Sequence, residues 1–158
     1  MKSAAGLPYE NATAGDKAIA ECERILARFG CERFGTMTDN EGGFLNLQFD
    51  WRGRRVSVEA SWKGYAALWL KAHPYSSRSR GRLVDHERKA LEQAKVSVRS
   101  ILRDWIKGQT MAIESGLLSF EAAFLGQMML PSGERLVDVA VPMLRLTSGD
   151  QSDGTSRP

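Results

Sequence analysis

The sequence predicts an α+β fold, a three-stranded antiparallel sheet packed against helices with one long central helix. Three observations lead there. Residues 44–51 alternate strictly between apolar and polar side chains. A two-residue Arg52-Gly53 connection then leads into a second alternating run. From Val84 to Ser115, apolar residues recur at helical spacing. The chain has 158 residues, 42% hydrophobic and 26% charged, which suits one well-buried core and a globular composition. The expected organisation is an N-terminal arm over 1–14, a single α+β domain over 15–146 and a disordered polar tail over 147–158.

The first helix is expected over Gly15 to Phe29, because Ile19, Cys22, Leu26 and Phe29 fall at spacings of three and four. Thr13 and Asp16 supply its cap, and Gly30 stops it. Cys31 to Thr38 then reads as a strand closed by the turn-rich Asp39-Asn40-Glu41-Gly42-Gly43. In the next strand, Leu45, Leu47, Phe49 and Trp51 share a face. Val56, Val58 and Ala60 share a face of the strand after the turn. Pairing Trp51 with Arg54 sets Phe49 against Val56, Leu47 against Val58 and Leu45 against Ala60, so every apolar residue falls on one side. The same register puts Asp50 opposite Arg55.

Ser61 is placed to cap a helix through Ala72, with Tyr65, Leu68, Trp69 and Ala72 facing inward and Pro74 ending it. Residues 74–82 form a basic loop of Ser, Arg and Gly. The long helix follows, and Gly108 marks a point where it can bend. Gly116 ends it, Ser119 caps another helix through about Met129, and Leu130-Pro131-Ser132-Gly133 breaks the chain again. Residues 134–146 suit a helix by Leu136, Val137, Ala140, Val141 and Leu144, and a strand by Val137, Val139 and Val141. A helix is the expectation.

Charge is segregated along the chain. Residues 1–50 carry 5 basic and 8 acidic side chains, 51–110 carry 14 and 5, and 111–158 carry 3 and 6. A basic middle between acidic ends is the arrangement that meets a polyanion or an acidic partner. No run approaches the length of a membrane span, and the opening residues lack the apolar stretch of a secretory signal. The expectation is a cytoplasmic protein that does not engage a membrane.

Catalytic patterns are sparse. His73 and His86 have no cysteine or carboxylate at ligand spacing, so no metal and no cofactor are expected. Cys22 and Cys31 fall in and just after the first helix, where packing thiols are expected in place of a disulfide framework or a nucleophile. Asp50, Glu59 and Lys63 follow the order of a metal-dependent nuclease on a hairpin, but Lys63 stands four residues beyond Glu59 and Asp50 has Arg55 as its cross-strand partner.

The candidate binding residues are therefore Arg52, Arg54, Lys63, Arg78, Arg80, Arg82 and Trp62. Guanidinium groups spaced by Ser and Gly suit phosphates, because the chain adapts while each Arg offers a bidentate fork. By contrast, Arg88, Lys89, Lys95, Arg99, Arg103 and Lys107 are accounted for as the solvated face of an amphipathic helix. Trp51, Trp69 and Trp105 fall on apolar faces, which leaves Trp62, beside Lys63, as the tryptophan to contact a ligand.

Two resemblances follow from these residues. The order helix, three antiparallel strands, helix over Gly15 to Ala72 resembles that of a double-stranded-RNA-binding domain. That family clusters lysines at the start of the helix after the third strand, and here Lys63 alone matches. The segments His73-Pro74-Tyr75-Ser76-Ser77-Arg78, Glu87-Arg88-Lys89-Ala90-Leu91, Ser119-Phe120-Glu121-Ala122-Ala123-Phe124-Leu125 and Leu130-Pro131-Ser132-Gly133 resemble small uncharacterised proteins of tailed phages and prophages, over about His73 to Val137. That resemblance implies a bacterial host cytoplasm and no particular reaction. The functional expectation is a non-enzymatic phage accessory protein whose basic surface binds nucleic acid or a nucleoprotein complex. The alternatives are an inhibitor that binds a host replication or defence protein directly and, last, a metal-dependent nuclease.

Overall fold

The structure is a computed structural model that describes residues 6–78 and 80–147. Three strands, β1 (Arg33–Asp39), β2 (Phe44–Trp51) and β3 (Arg54–Ser61), form one antiparallel sheet in the order β1-β2-β3. Arg52 and Gly53 both take positive φ, 47° and 76°. Two such residues make the tight turn whose twist matches a hairpin. The β2–β3 register is the one the alternation predicts, with Trp51 opposite Arg54, Phe49 opposite Val56, Leu47 opposite Val58 and Asp50 opposite Arg55. Leu45, Leu47, Phe49 and Val56 are buried on the inner face. On the outer face Asn46 donates to the Ser57 hydroxyl at 2.9 Å, and Arg55 grips Asp50 through bonds of 2.8 and 3.0 Å.

Among the described residues five helices complete the α+β fold: α1 (Gly15–Phe29), α2 (Trp62–Ala72), α3 (Leu83–Glu114), α4 (Phe120–Phe124) and α5 (Leu136–Thr147). The 32 residues of α3 span about 48 Å and pass through Gly108 without interruption. Its buried stripe begins with the small residues Ala90, Ala94 and Ser97, which let neighbours approach closely. Beside it α1 runs parallel, since a Cβ on Gly15 would lie 3.4 Å from the Val96 Cα, Glu21 meets Arg103 at 3.7 Å, and Arg28 meets Glu114 at 3.6 Å. By contrast α2 runs antiparallel to the start of α3, with Lys95 over the Trp62 ring and Lys89 over that of Trp69. Thus α2 and roughly the first 20 Å of α3 form a helical hairpin that extends past the start of α1. Residues 7–14 pack onto it. Pro8 accepts from Tyr65 at 2.6 Å, Tyr9 from Ser97 at 2.8 Å, and Ala12 from Gln93 at 3.0 Å.

The opposite end is closed by aromatic rings. Trp51 stacks on Phe120 at 4.1 Å and on Phe29 at 5.6 Å, while Phe124 meets Phe49 at 5.4 Å and Trp105 at 5.7 Å. Ser119 caps α4 as expected, accepting from the Ala122 N–H at 3.0 Å. The helix is shorter than predicted, because after a 3-10 turn at Leu125–Gln127 the chain extends to pair with β3. There Met128 bridges Val56, and the Met129 N–H donates to the Arg55 carbonyl at 2.8 Å.

Three local expectations are corrected. Thr13 does not cap α1; its N-cap is Ala14 without a side-chain bond, and Asp16 instead lies in the first turn, where it complements the helix dipole. Ser61 does not cap α2, because its hydroxyl is drawn to the Gly43 carbonyl at 3.4 Å. The inward face of α2 is Trp62, Tyr65, Ala66 and Trp69, while Leu68 is 53% exposed. The face turns because α2 packs on α3 through its tryptophans. Gly30, with φ of 106°, ends α1 as expected. Residues 148–158 of the expected tail lie outside the described residues.

Two measurements check this frame. Leu47→Asp should destabilise the protein by about 2 to 5 kcal/mol in thermal or urea unfolding, because it sets an unpaired charge in the sheet-helix interface. Asp50 supplies a pH signature. The hydrogen bonds from Arg55, together with the positive charges of Arg55 and Arg33, hold its carboxyl below the ordinary value. A depressed folded-state value stabilises the protein above the unfolded-state pKa, and that contribution is lost as pH falls through the folded one. Asp50→Asn should therefore lower stability at neutral pH, and the gap from wild type should close as urea titrations move from about pH 5 to about pH 2.

Candidate nucleic-acid interface

The seven candidate residues do not form one surface. Arg52 and Arg54 stand at the β2–β3 turn, whereas Lys63 starts α2 at the other end of the sheet, beside Gly43 of the β1–β2 turn. An eight-residue strand separates these ends by roughly 24 Å. Arg54 is bonded to Glu121 of α4, and Arg52 lies 4.5 Å over the Trp51 ring. The turn arginines thus fasten the aromatic end of the fold.

Trp62 is not an exposed platform. It is 3% exposed, packed into the core under Lys95, and is with Trp69 one of the two buried tryptophans. The sequence places it next to a strand end, and only the antiparallel approach of α3 turns its ring inward.

The loop arginines separate as well. Arg82 lies 3.4 Å from Asp85, which also holds Arg88 at 2.6 Å, so its charge is partly met. Arg78 and Arg80 are exposed and have no carboxylate within 4 Å among the described residues. The base of their loop is braced by groups whose role the sequence left open. His86 Nε2 lies 2.6 Å from the His73 carbonyl, an acceptor, so the ring donates there. Tyr75 donates to the Gly81 carbonyl at 3.1 Å, and His73 stacks on Trp69 at 4.4 Å. His73 Nδ1 stands 3.1 Å from the Trp69 carbonyl and Nε2 3.1 Å from the Glu10 carboxylate, so the ring is held between two acceptors. Both histidines serve as braces that carry the ends of the loop on a rigid helix pair.

Residues 62–95 hold 8 basic and 3 acidic side chains. Six of the eight, Lys63, Lys71, Arg78, Arg80, Lys89 and Lys95, make no ion pair among the described residues. Elsewhere most arginines are matched: Arg28 to Glu114, Arg33 and Arg55 to Asp50, Arg54 to Glu121, Arg103 to Glu21 and Asp104, and Arg135 to Glu59 and Asp138. Lys17, Arg24, Arg52, Arg99 and Lys107 also make no ion pair among the described residues, so unpaired cations occur outside the helical hairpin too but are densest on it. Beside it, a cleft of about 630 Å³ lined by Glu10, Trp69, His73, Lys89 and Glu92 mixes both signs, which disfavours a phosphate there.

The catalytic alternatives find no convergent geometry. Asp50 is held by Arg55 and Arg33, and Glu59 by Arg135. Their positions on the sheet are four residue steps, about 13 Å, apart. Among the described residues no group of three His, Cys, Asp or Glu side chains is gathered as a metal site. Burial pushes the Cys22 thiol up to about 11 and the Cys31 thiol up to about 12, the opposite of an activated nucleophile. No helix of the described residues is long and apolar enough to cross a membrane. No protein-family model, curated protein or solved structure matches the chain, so its functional reading rests on the geometry of this hairpin.

Proposed function

We propose that the protein is a non-enzymatic accessory protein of a tailed phage or prophage, acting in the bacterial cytoplasm, which binds nucleic acid or a nucleoprotein complex through the α2–α3 hairpin. The observation that carries this reading is the set of six unpaired cations between Lys63 and Lys95, with Arg78 and Arg80 at the tip of a loop braced at its base. Cations left without carboxylate partners retain their full attraction for phosphates and release counterions when they bind them. A Ser- and Gly-spaced tip lets the two guanidinium forks adjust to a backbone, while the helices fix where they start. The phage setting rests on the sequence resemblance alone.

A second reading, direct inhibition of a host replication or defence protein, is favoured by one observation. Between β3, α2 and α3 lies a groove of about 450 Å³ lined by Val58, Ala60, Tyr65, Leu68, Ile101 and Trp105. Its lining suits an apolar anchor from a protein partner. Pull-down from phage-infected cells with and without nuclease separates the two readings, since a stoichiometric protein partner that survives nuclease supports the second.

Salt titrations of binding to short single- and double-stranded DNA and RNA test the first. Arg78→Ala and Arg80→Ala should each reduce the slope of log affinity against log salt by about one unit, with little change in sequence preference. Arg82→Ala should have a smaller effect because Asp85 already engages that side chain, and Arg54→Ala should leave the slope unchanged. Equal affinity and slope for wild type and the Arg78→Ala/Arg80→Ala double variant on every substrate would remove the hairpin from nucleic-acid binding.

A further inference from the structure

We propose that two copies of this chain associate through β1, pairing antiparallel about a two-fold axis at Thr36 to make a continuous six-stranded sheet. The two sheet edges are treated differently by the fold. The β3 edge is covered in part, because Met129 takes the Arg55 carbonyl, Met128 bridges Val56, and Arg135 reaches Glu59 at 3.3 Å. The β1 edge carries no such cover among the described residues, and Gly35, Thr36, Met37 and Thr38 are consecutive exposed residues. It contains no Pro and no Lys, the residues that usually discourage edge pairing.

The hairpin turn determines which backbone groups this edge offers. A strand residue points its N–H and C=O to the same side, and the side alternates along the chain. The two-residue turn makes Trp51 and Arg54 a hydrogen-bonded pair, so the odd residues of β2 bond to β3 and the even ones to β1. Two bonds confirm the parity. The Asp50 carbonyl accepts from Glu32 on the β1 side, and the Gly43 carbonyl accepts from Trp62 on the β3 side. The partners of the even residues are Arg33, Gly35, Met37 and Asp39. Phe34, Thr36 and Thr38 therefore present their N–H and C=O groups outward.

Those three residues are the ones a two-fold pairing at Thr36 uses. Thr36 meets the partner's Thr36 and Phe34 meets the partner's Thr38, giving about six new backbone bonds. The side chains then match in the same register. Arg33, which within its own chain lies 3.8 Å from Asp50, falls opposite the partner's Asp39, twice. Asp39 accepts from the Gly42 N–H through one oxygen at 2.7 Å and keeps the other for the partner, so each opposite-charge pair is supplied by the symmetry. Met37, 63% exposed, falls opposite the partner's Gly35, where a Cβ would find no atom within 4 Å. An exposed apolar side chain thus meets a vacant position. A register shifted by two residues keeps the outward backbone groups but loses both charge pairs and the Met-Gly fit. The occupant that this strand complements is itself.

The test is sedimentation of the full chain from about 1 μM to about 1 mM, with thermal unfolding as a control for folding. Wild type should show a concentration-dependent monomer–dimer equilibrium. Thr36→Pro removes an outward N–H and no bond to β2, so it should stay folded and lose the dimer. Arg33→Asp and Asp39→Arg should each weaken self-association by about tenfold or more, because like charges then face each other twice. Mixing those two variants should restore association between them. In the mixed dimer the introduced aspartate faces the introduced arginine, and the native Asp39 of one chain faces the native Arg33 of the other. Hydrogen exchange gives a second readout, in which the amides of Phe34, Thr36 and Thr38 gain protection with concentration while those of Gly35 and Met37 are protected throughout. A wild type that stays monomeric, a dimer indifferent to Thr36→Pro, or variants that fail to recover on mixing would overturn the proposal. So would an edge filled only by a strand from another protein.

Discussion

The pairing of Trp51 with Arg54 across a two-residue turn is the constraint on which the rest of the structure depends. Side chains in a strand alternate with a period of two, so a slip of one residue would turn Leu45, Leu47 and Phe49 outward and leave the helices nothing to cover. The positive φ values at Arg52 and Gly53 hold the register at one end. At the other end Gly43 accepts from both Trp62 and Ser61, which fixes where β3 stops and α2 begins. Because the strands are fixed at both ends, Asp50 is delivered to Arg55 and Asn46 to Ser57, and the polar face is satisfied by the same register that buries the apolar one.

From that sheet the helices divide the molecule into two ends with different chemistry. α1 and the C-terminal part of α3 run together toward the β2–β3 turn, where Phe29, Trp51, Phe120 and Phe124 fill the end of the sheet and Arg54 is tied to Glu121. α2 returns along the start of α3 and carries the unpaired cations away from that turn. Small side chains at Ala90, Ala94 and Ser97 permit this close approach, and the two indoles of Trp62 and Trp69, seven residues apart on one face of α2, fill the seam. The densest run of unpaired cations and the ring cluster of Phe29, Trp51, Phe120 and Phe124 are thus placed at opposite ends.

What was legible in the sequence followed from local rules. Strict alternation and a two-residue turn determine a register, and a long 3.6-period stripe determines a helix, so the sheet and α3 were foreseen to within a residue or two. Apart from the missing Thr13 cap, the failures share one cause, which is a competing partner distant in sequence. Ser61 gave up its cap to Gly43, 18 residues earlier. The predicted helix after Ser119 gave way to a bridge with Val56, a residue it does not neighbour in the chain. Trp62 looked exposed because its neighbours are polar, and it is buried because α3 approaches from across a loop. The roles of His73 and His86 depended on contacts with Glu10, Trp69 and each other that no spacing rule contains.

The candidate site shows the same division more sharply. Arg52, Arg54, Arg78, Arg80 and Arg82 are alike in sequence, each flanked by Gly, Ser or another Arg, and composition alone assigns them one role. Tertiary structure sorts them by what each meets: an indole for Arg52, a carboxylate on α4 for Arg54, a carboxylate one helical turn away for Arg82, and none for Arg78 and Arg80. A guanidinium already bonded to a carboxylate gains little from a phosphate, since it must first give up a partner of similar strength. Density of arginine in the sequence therefore overstates a binding surface, and the informative quantity is the cation left over when internal pairing is complete. By that measure Arg54 belongs to the architecture of the sheet, Arg52 is held only by the Trp51 ring, and the loop carried by α2 and α3 holds two guanidinium groups that meet neither a carboxylate nor a ring.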